Sequence, residues 1–168
     1  PMGLASAEMT KHAINAWLAN SVVFINEISN ICEVVGADAK EVELGMKSEE
    51  KIGKKAYLSP GSAFSGGTLA RDLNYLNEFK DSSYWSSIIK SNNNHKSWIK
   101  KTINGLPLNK NSTIGILGLT YKLGTNTLRR SLSIELANWL FKKSFKIKAF
   151  DHDVDQNDIE LPKFISFE

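Results

Sequence analysis

Three stretches of the 168-residue chain carry residue types whose spacing could support chemistry. The first is Ser59-Pro60-Gly61-Ser62-Ala63-Phe64-Ser65-Gly66-Gly67-Thr68, small almost throughout, with one aromatic. Small residues let a backbone approach a ligand closely or turn through positive φ, so the run reads as a ligand-holding loop or as a plain surface loop. The second is Ile114-Gly115-Ile116-Leu117-Gly118-Leu119, half of a dinucleotide fingerprint without its three-glycine spacing. Asp151 ends the next apolar run, where a ribose-binding acid is expected. The third is Asp151, Asp153 and Asp155, which stand at calcium-loop spacing. Such a loop needs glycine at its sixth position and glutamate at its twelfth. Gln156 and Pro162 stand there instead, and the calcium chemistry drops out.

Other chemical signals are weaker. Ser87 and Lys90 imitate a serine-lysine motif without its companion motifs, so they read as a helix surface. His12, His95 and His152 are scattered, with no zinc-ligand spacing, and no metal is expected. One cysteine, Cys32, excludes an intrachain disulfide framework. Twenty-one Lys+Arg against eighteen Asp+Glu leave +3, too mild to indicate nucleic-acid binding. The longest unbroken apolar runs fall far short of the ~20 residues of a membrane span. No membrane partner and a cytoplasmic setting are therefore the expectation.

The elements that must position these residues follow from periodicity. Ile14, Leu18, Ile25, Ile28, Cys32 and Val35 form one stripe of a helix over residues 6–35, with Ser6 as its N-cap and Gly36 as its stop. Asp38 caps the next helix, with Glu41 completing a capping-box pattern. A helix near thirty residues needs a partner along both faces, and a second subunit could supply one of them. After the small-residue run, a helix covers Arg71 to Phe79. Another, capped by Asp81 or Ser82, runs to about Ile103, weakened by Asn92-Asn93-Asn94. Beyond Gly105-Leu106-Pro107, Thr113–Leu119 reads as a buried parallel strand, residues 134–141 as a helix and Lys146–Phe150 as a second strand. That unit opens a doubly wound α/β domain, with too few residues left to finish its sheet.

Three segments together resemble one family. Glu8-Met9-Thr10-Lys11-His12-Ala13-Ile14-Asn15-Ala16-Trp17 with Phe24-Ile25-Asn26-Glu27 is similar to the central helix of UDP-glucose/GDP-mannose dehydrogenases. Pro60 to Asp72 resembles the catalytic loop of that family. Gly115-Ile116-Leu117-Gly118-Leu119-Thr120-Tyr121-Lys122, with Thr125 and Arg129 to Ser131, resembles the start of its nucleotide-sugar domain.

The resemblance implies a helical dimerisation domain of the 6-phosphogluconate dehydrogenase C-terminal type over 1–109, its loop at 59–72. An incomplete Rossmann-like nucleotide-sugar-binding domain would follow over 110–168. It implies an NAD-dependent oxidation of a nucleotide sugar's C6 alcohol to a carboxylate, in a homodimer built on the 6–35 helix. Lys11 and Asn15 fall beside the reacting oxygen, one helical turn apart. Asp72 falls on the aspartate that handles water or a proton. Lys51, Tyr57, Phe64, Gly66 and Lys122 fall on substrate-binding positions, and Arg129 on the NAD phosphates.

Departures from the family accompany the match. Thr68 stands in the catalytic cysteine slot, Ala63 and Ser65 replace glycines, and Lys51 replaces an arginine. A thiol of pKa ~8.5 is a few per cent thiolate at pH 7, whereas a threonine hydroxyl is ionised orders of magnitude less. The lost glycines should crowd the loop. The 168 residues, lacking an NAD-binding domain, are expected to be inactive alone and to bind no cofactor firmly. A non-catalytic dimerisation or nucleotide-sugar-binding module is the alternative expectation.

Overall fold

The computed structural model describes residues 1–65, 67–79, 82–109, 111–121 and 124–167. The chain divides into two compact units, Pro1–Lys96 and Ser97–Glu168.

The first unit is helical. Helix α1 (Leu4–Val35) runs for 32 residues and stops at Gly36, whose φ of 75° supplies the left-handed turn. Its start differs from expectation. Gly3 occupies the N-cap without a side-chain bond, and Ser6 lies inside the helix, its carbonyl accepting from Thr10 Oγ1. Helix α2 (Ala39–Ser48) is capped as its sequence predicts, the Asp38 carboxylate accepting from the Lys40 and Glu41 amides. Helices α3 (Gly67–Phe79) and α4 (Ser83–His95) pack on α1. Ser82 Oγ caps α4 by accepting from the Tyr84 amide.

The core of this unit joins Ala16, Ala19 and Val23 of α1 to Leu73 of α3 and Ile88 of α4. Small residues on the inner face of α1 let the helices approach closely. The expected stripe is therefore only half an inner face. Ile25 and Cys32 are buried, but Ile14 and Val35 are exposed, because alanines make the contact instead. Trp17, Phe24 and Ile31, seven residues apart, stand exposed with Ile14 and Val35 on the outside. Residues seven apart lie along one face of a helix.

By length and composition α1 is also, among the described residues, the one helix that could cross a membrane. Its apolar character is dispersed rather than continuous, so counting unbroken runs misses it. Here its inner face packs on α3 and α4 and holds a buried asparagine, Asn26, in polar contacts.

The expected single helix to Ile103 is two. α4 closes at His95 and α5 (Trp98–Gly105) begins after Ser97. Ile103 packs against the core of the second unit, so the division falls at 96/97 rather than at the expected 109/110. Strand β1 (Thr113–Leu117), helix α6 (Leu132–Lys142) and strand β2 (Lys146–Phe150) follow in the expected order. Ser131 caps α6 by accepting from the Ser133 and Ile134 amides. A third strand, β3 (Ile165–Phe167), was not expected. It pairs parallel with β2, Ile147 opposite Ile165, in a sheet of order β1-β2-β3.

Ile116, Ile147, Ala149 and Ile165 meet Leu136, Ala137 and Leu140 of α6 in one core. The strands alternate rather than being buried on both faces. Leu117 is 86% exposed and Phe150 is exposed beside it, because α6 covers one side of the sheet.

Candidate active site

The site begins with a carboxylate taken out of water. Asp72 stands one residue before Leu73 of the core, and its side chain is 1% exposed. α1 and α3 bring four partners to it. Asn15 Nδ2 donates to Oδ2 at 2.5 Å, and Lys11 Nζ lies 3.5 Å from the same oxygen. Oδ1 faces His12 Nδ1 at 3.6 Å and Arg71 Nε at 3.5 Å. Lys11, His12 and Asn15 share one side of α1, as residues one turn apart must. Burial alone would raise the Asp72 pKa. The Asn15 amide, the nearby Lys11 and His12 charges and the Arg71 bond outweigh it and hold the carboxyl below its ordinary value.

An ionised carboxylate in a dry site can take up a proton. Lys11, whose side chain is 60% exposed, keeps ammonium N–H groups available on the solvent side. An oxygen developing negative charge there would be stabilised by that ammonium. Lys11 and Asn15 of α1 thus lie against Asp72 of α3. Thr68 lies one turn before Asp72 on α3 and is exposed. Its hydroxyl makes no hydrogen bond with a described residue.

The loop before Thr68 is held by side chains that sequence reading missed. Asn92, 3% exposed, accepts from the Phe64 amide and donates to the Phe64 carbonyl, each at 3.0 Å. Buried Asn26 accepts from the Gly61 amide at 2.9 Å and donates to the Ser62 carbonyl at 3.4 Å. His95 Nε2 donates to the Gly61 carbonyl at 2.8 Å. These bonds fix residues 61–64 through their peptide groups. None of residues 59–65 takes a positive φ, and Ala63 is buried, so the lost glycines do not strain this stretch. The expected crowding is corrected accordingly. Gly66 lies outside the described residues, as does Lys122.

Lys51 and Tyr57 belong to a second group. With Trp17, Ser21 and Phe24 they line a cleft of about 370 Å³ on the outer side of α1. Among the described residues, no hydrogen bond or ion pair joins them to the Asp72 cluster. Phe64, half-buried, packs against the helical core.

In the second unit, Asp151 is not free for a ribose. Its Oδ2 accepts from the amides of Leu119 at 2.5 Å and Thr120 at 3.2 Å, and its Oδ1 from that of Asp153 at 2.9 Å. Burial would raise its pKa, but the backbone bonds from Leu119, Asp153, Thr120 and Val154 hold it low. A dinucleotide turn needs such amides free for phosphate oxygens. The turn after β1 therefore does not fit a dinucleotide, and the fingerprint reading is corrected. Arg129 is exposed just before α6, next to Arg130 at φ 60°.

A long helix thus presents a lysine and an asparagine to a buried aspartate, beside a clamped small-residue loop. The central-domain profile of the UDP-glucose/GDP-mannose dehydrogenase family matches residues 5–94, and the chain belongs to that family. It is 40% identical over 154 residues to UDP-glucose 6-dehydrogenase YwqF of Bacillus subtilis, covering 88% of this chain and 35% of that protein. It is 34% identical over 159 residues to GDP-mannose 6-dehydrogenase of Azotobacter vinelandii, covering 91% and 36%. The chain thus spans about a third of the length of these relatives. The fold resembles the UDP-glucose dehydrogenase of Pyrobaculum islandicum, at a TM-score of 0.78 and 21% identity over 97% of this chain and 39% of that one. It also resembles an NDP-N-acetyl-D-galactosaminuronic acid dehydrogenase of Methanosarcina mazei, at 0.80 and 22%, over 99% and 38%.

Proposed function

We propose that these residues form the catalytic and dimerising centre of a nucleotide-sugar 6-dehydrogenase, followed by the opening of its Rossmann-like nucleotide-sugar domain. The observation that carries this reading is the Asn15 and Lys11 pair on the buried Asp72 carboxylate. NAD, when bound to the whole enzyme, would supply the hydride acceptor for alcohol oxidation; the residues present here supply the surroundings of the reacting oxygen. Lys11 stabilises negative charge on that oxygen, Asn15 fixes Asp72, and Asp72 receives or returns a proton. Lys51, Tyr57, Phe64, Gly66 and Lys122 would hold the nucleotide sugar, and Arg129 the NAD phosphates.

Thr68 limits the chemistry. The first oxidation, alcohol to aldehyde, uses no thiolate. The second, through a thioester, does, and a threonine hydroxyl is too weak a nucleophile to replace it. The 168 residues by themselves are expected to show no turnover, since the NAD-binding part implied by the family lies outside them. The natural-length polypeptide carrying them is expected to accumulate aldehyde from UDP-glucose or GDP-mannose, and Thr68→Cys to restore acid formation. No gain in acid with Thr68→Cys would sink the cysteine-slot assignment. Absence of NADH formation with either sugar nucleotide would sink the enzyme reading and leave a binding module.

The exposed stripe of Trp17, Phe24 and Ile31 supports a homodimer through α1. A seven-residue apolar repeat facing water is stable when a second helix covers it.

A further inference from the structure

His12 is the one ring in the Asp72 cluster that the proposed chemistry leaves without work. Its side chain is 20% exposed, and its Nδ1 is shut off from water with no hydrogen-bond partner. A buried ring nitrogen left unbonded carries a cost of about 1–3 kcal/mol. Asp72 Oδ1 lies 3.6 Å away, just beyond bonding distance. The ring is seated against Tyr75 with centroids 4.5 Å apart, and Tyr75 in turn meets Phe79 edge-on at 4.8 Å. This aromatic backing leaves Nδ1 turned to the carboxylate. The charged groups that face it are Lys11 on α1 and Arg71 and Asp72 on α3. No ion pair from α2 or α4 reaches it among the described residues.

We propose that His12 is a positioning residue for Asp72, donating an Nδ1 proton to Oδ1 so that the carboxylate is gripped on both oxygens. Asn15 holds one oxygen and His12 the other, which fixes the plane in which Asp72 exchanges a proton. Asp72 in turn selects the Nδ1–H tautomer of His12, because only that form or the imidazolium can donate in this direction. Which nitrogen of His12 carries the proton and how Asp72 is held are therefore linked. The mechanistic meaning rests on the reading of Asp72 as the proton-handling group, whereas the linkage itself does not.

The test uses the 168-residue chain, with 15N and 13C NMR reporting the ring tautomer of His12 and the titration of the Asp72 carboxyl. Near neutral pH the wild type is expected to show the proton of His12 on Nδ1, a preference lost in Asp72→Asn. His12→Phe keeps the aromatic seat and removes the donor, so the Asp72 midpoint is expected to move up. His12→Asn, whose amide stands near the place of Nδ1, is expected to bring it back down. A wild-type His12 protonated only on Nε2 at neutral pH would overturn the proposal, and that measurement needs no variant to fold. An Asp72 midpoint unmoved by His12→Phe would overturn it as well. Neither readout depends on turnover, so loss of the dehydrogenase reading and loss of this linkage are separate results.

Discussion

The side-chain amide of Asn92 brackets the peptide group of Phe64, accepting from its N–H and donating to its carbonyl at 3.0 Å each. This is the pattern two antiparallel strands use, supplied here by one side chain of α4. It ties the loop before Thr68 to the helical core 28 residues further along the chain.

Asn92→Leu should therefore cost more than a surface change. It leaves a buried N–H and a buried C=O unpaired, each worth about 1–3 kcal/mol. Urea unfolding of the chain should show a lowered midpoint with unchanged slope, while Asn93→Leu, one exposed position on, should leave the midpoint within about 0.5 kcal/mol.

Asp72 and Asp151 are among the carboxyls held low, with Glu43 beside Lys40 and Lys47, and they make stability depend on pH in a definite direction. A folded-state pKa below the unfolded one gives stabilisation that is complete above the ordinary aspartate value of about 4. It is lost as pH falls through the depressed value. The melting temperature should accordingly drop steeply on the acid side of pH 4, and Asp151→Asn should flatten that drop. An unchanged acid limb in Asp151→Asn would contradict the assignment.

Asp151→Ala removes three backbone bonds, two that join the end of β2 to the turn after β1 and a local one from the Asp153 amide. A destabilisation of about 2–4 kcal/mol is expected, since charge-assisted bonds to buried amides are the strong class. Amide exchange at Leu119 and Thr120 should accelerate first.

Trp17→Glu and Phe24→Glu place charge in the exposed seam of α1 without touching its inner face. Sedimentation should find the wild type dimeric and the double variant monomeric, with helical circular dichroism retained. A monomeric wild type would remove the dimer from the proposed function.

Much of this was legible in the residues, for local reasons. Gly36 and Asp38 mark an ending and a beginning because caps act through their own backbone neighbours. Lys11, Asn15 and Asp72 were legible through family resemblance. Asn92 was not: within a helix an asparagine reads as weak propensity, and only tertiary contact shows it holding Phe64. His12 likewise looks scattered in sequence because its partners, Asp72 and Tyr75, sit on another helix. Asp151 carried a false functional signal, since its position matches a ribose acid while its oxygens are already occupied by amides. β3 is three residues long, too short for periodicity to speak.

The clamp on residues 61–64 grips backbone N–H and C=O groups, which every amino acid but proline offers alike. Loop shape is thereby separated from loop composition. The path of the chain is held through its backbone even where the side chains, Ala63 and Phe64, are themselves packed. The holders, Asn26 and Asn92, lie far away in sequence. A lineage could retune what the loop meets without having to rebuild how it is folded.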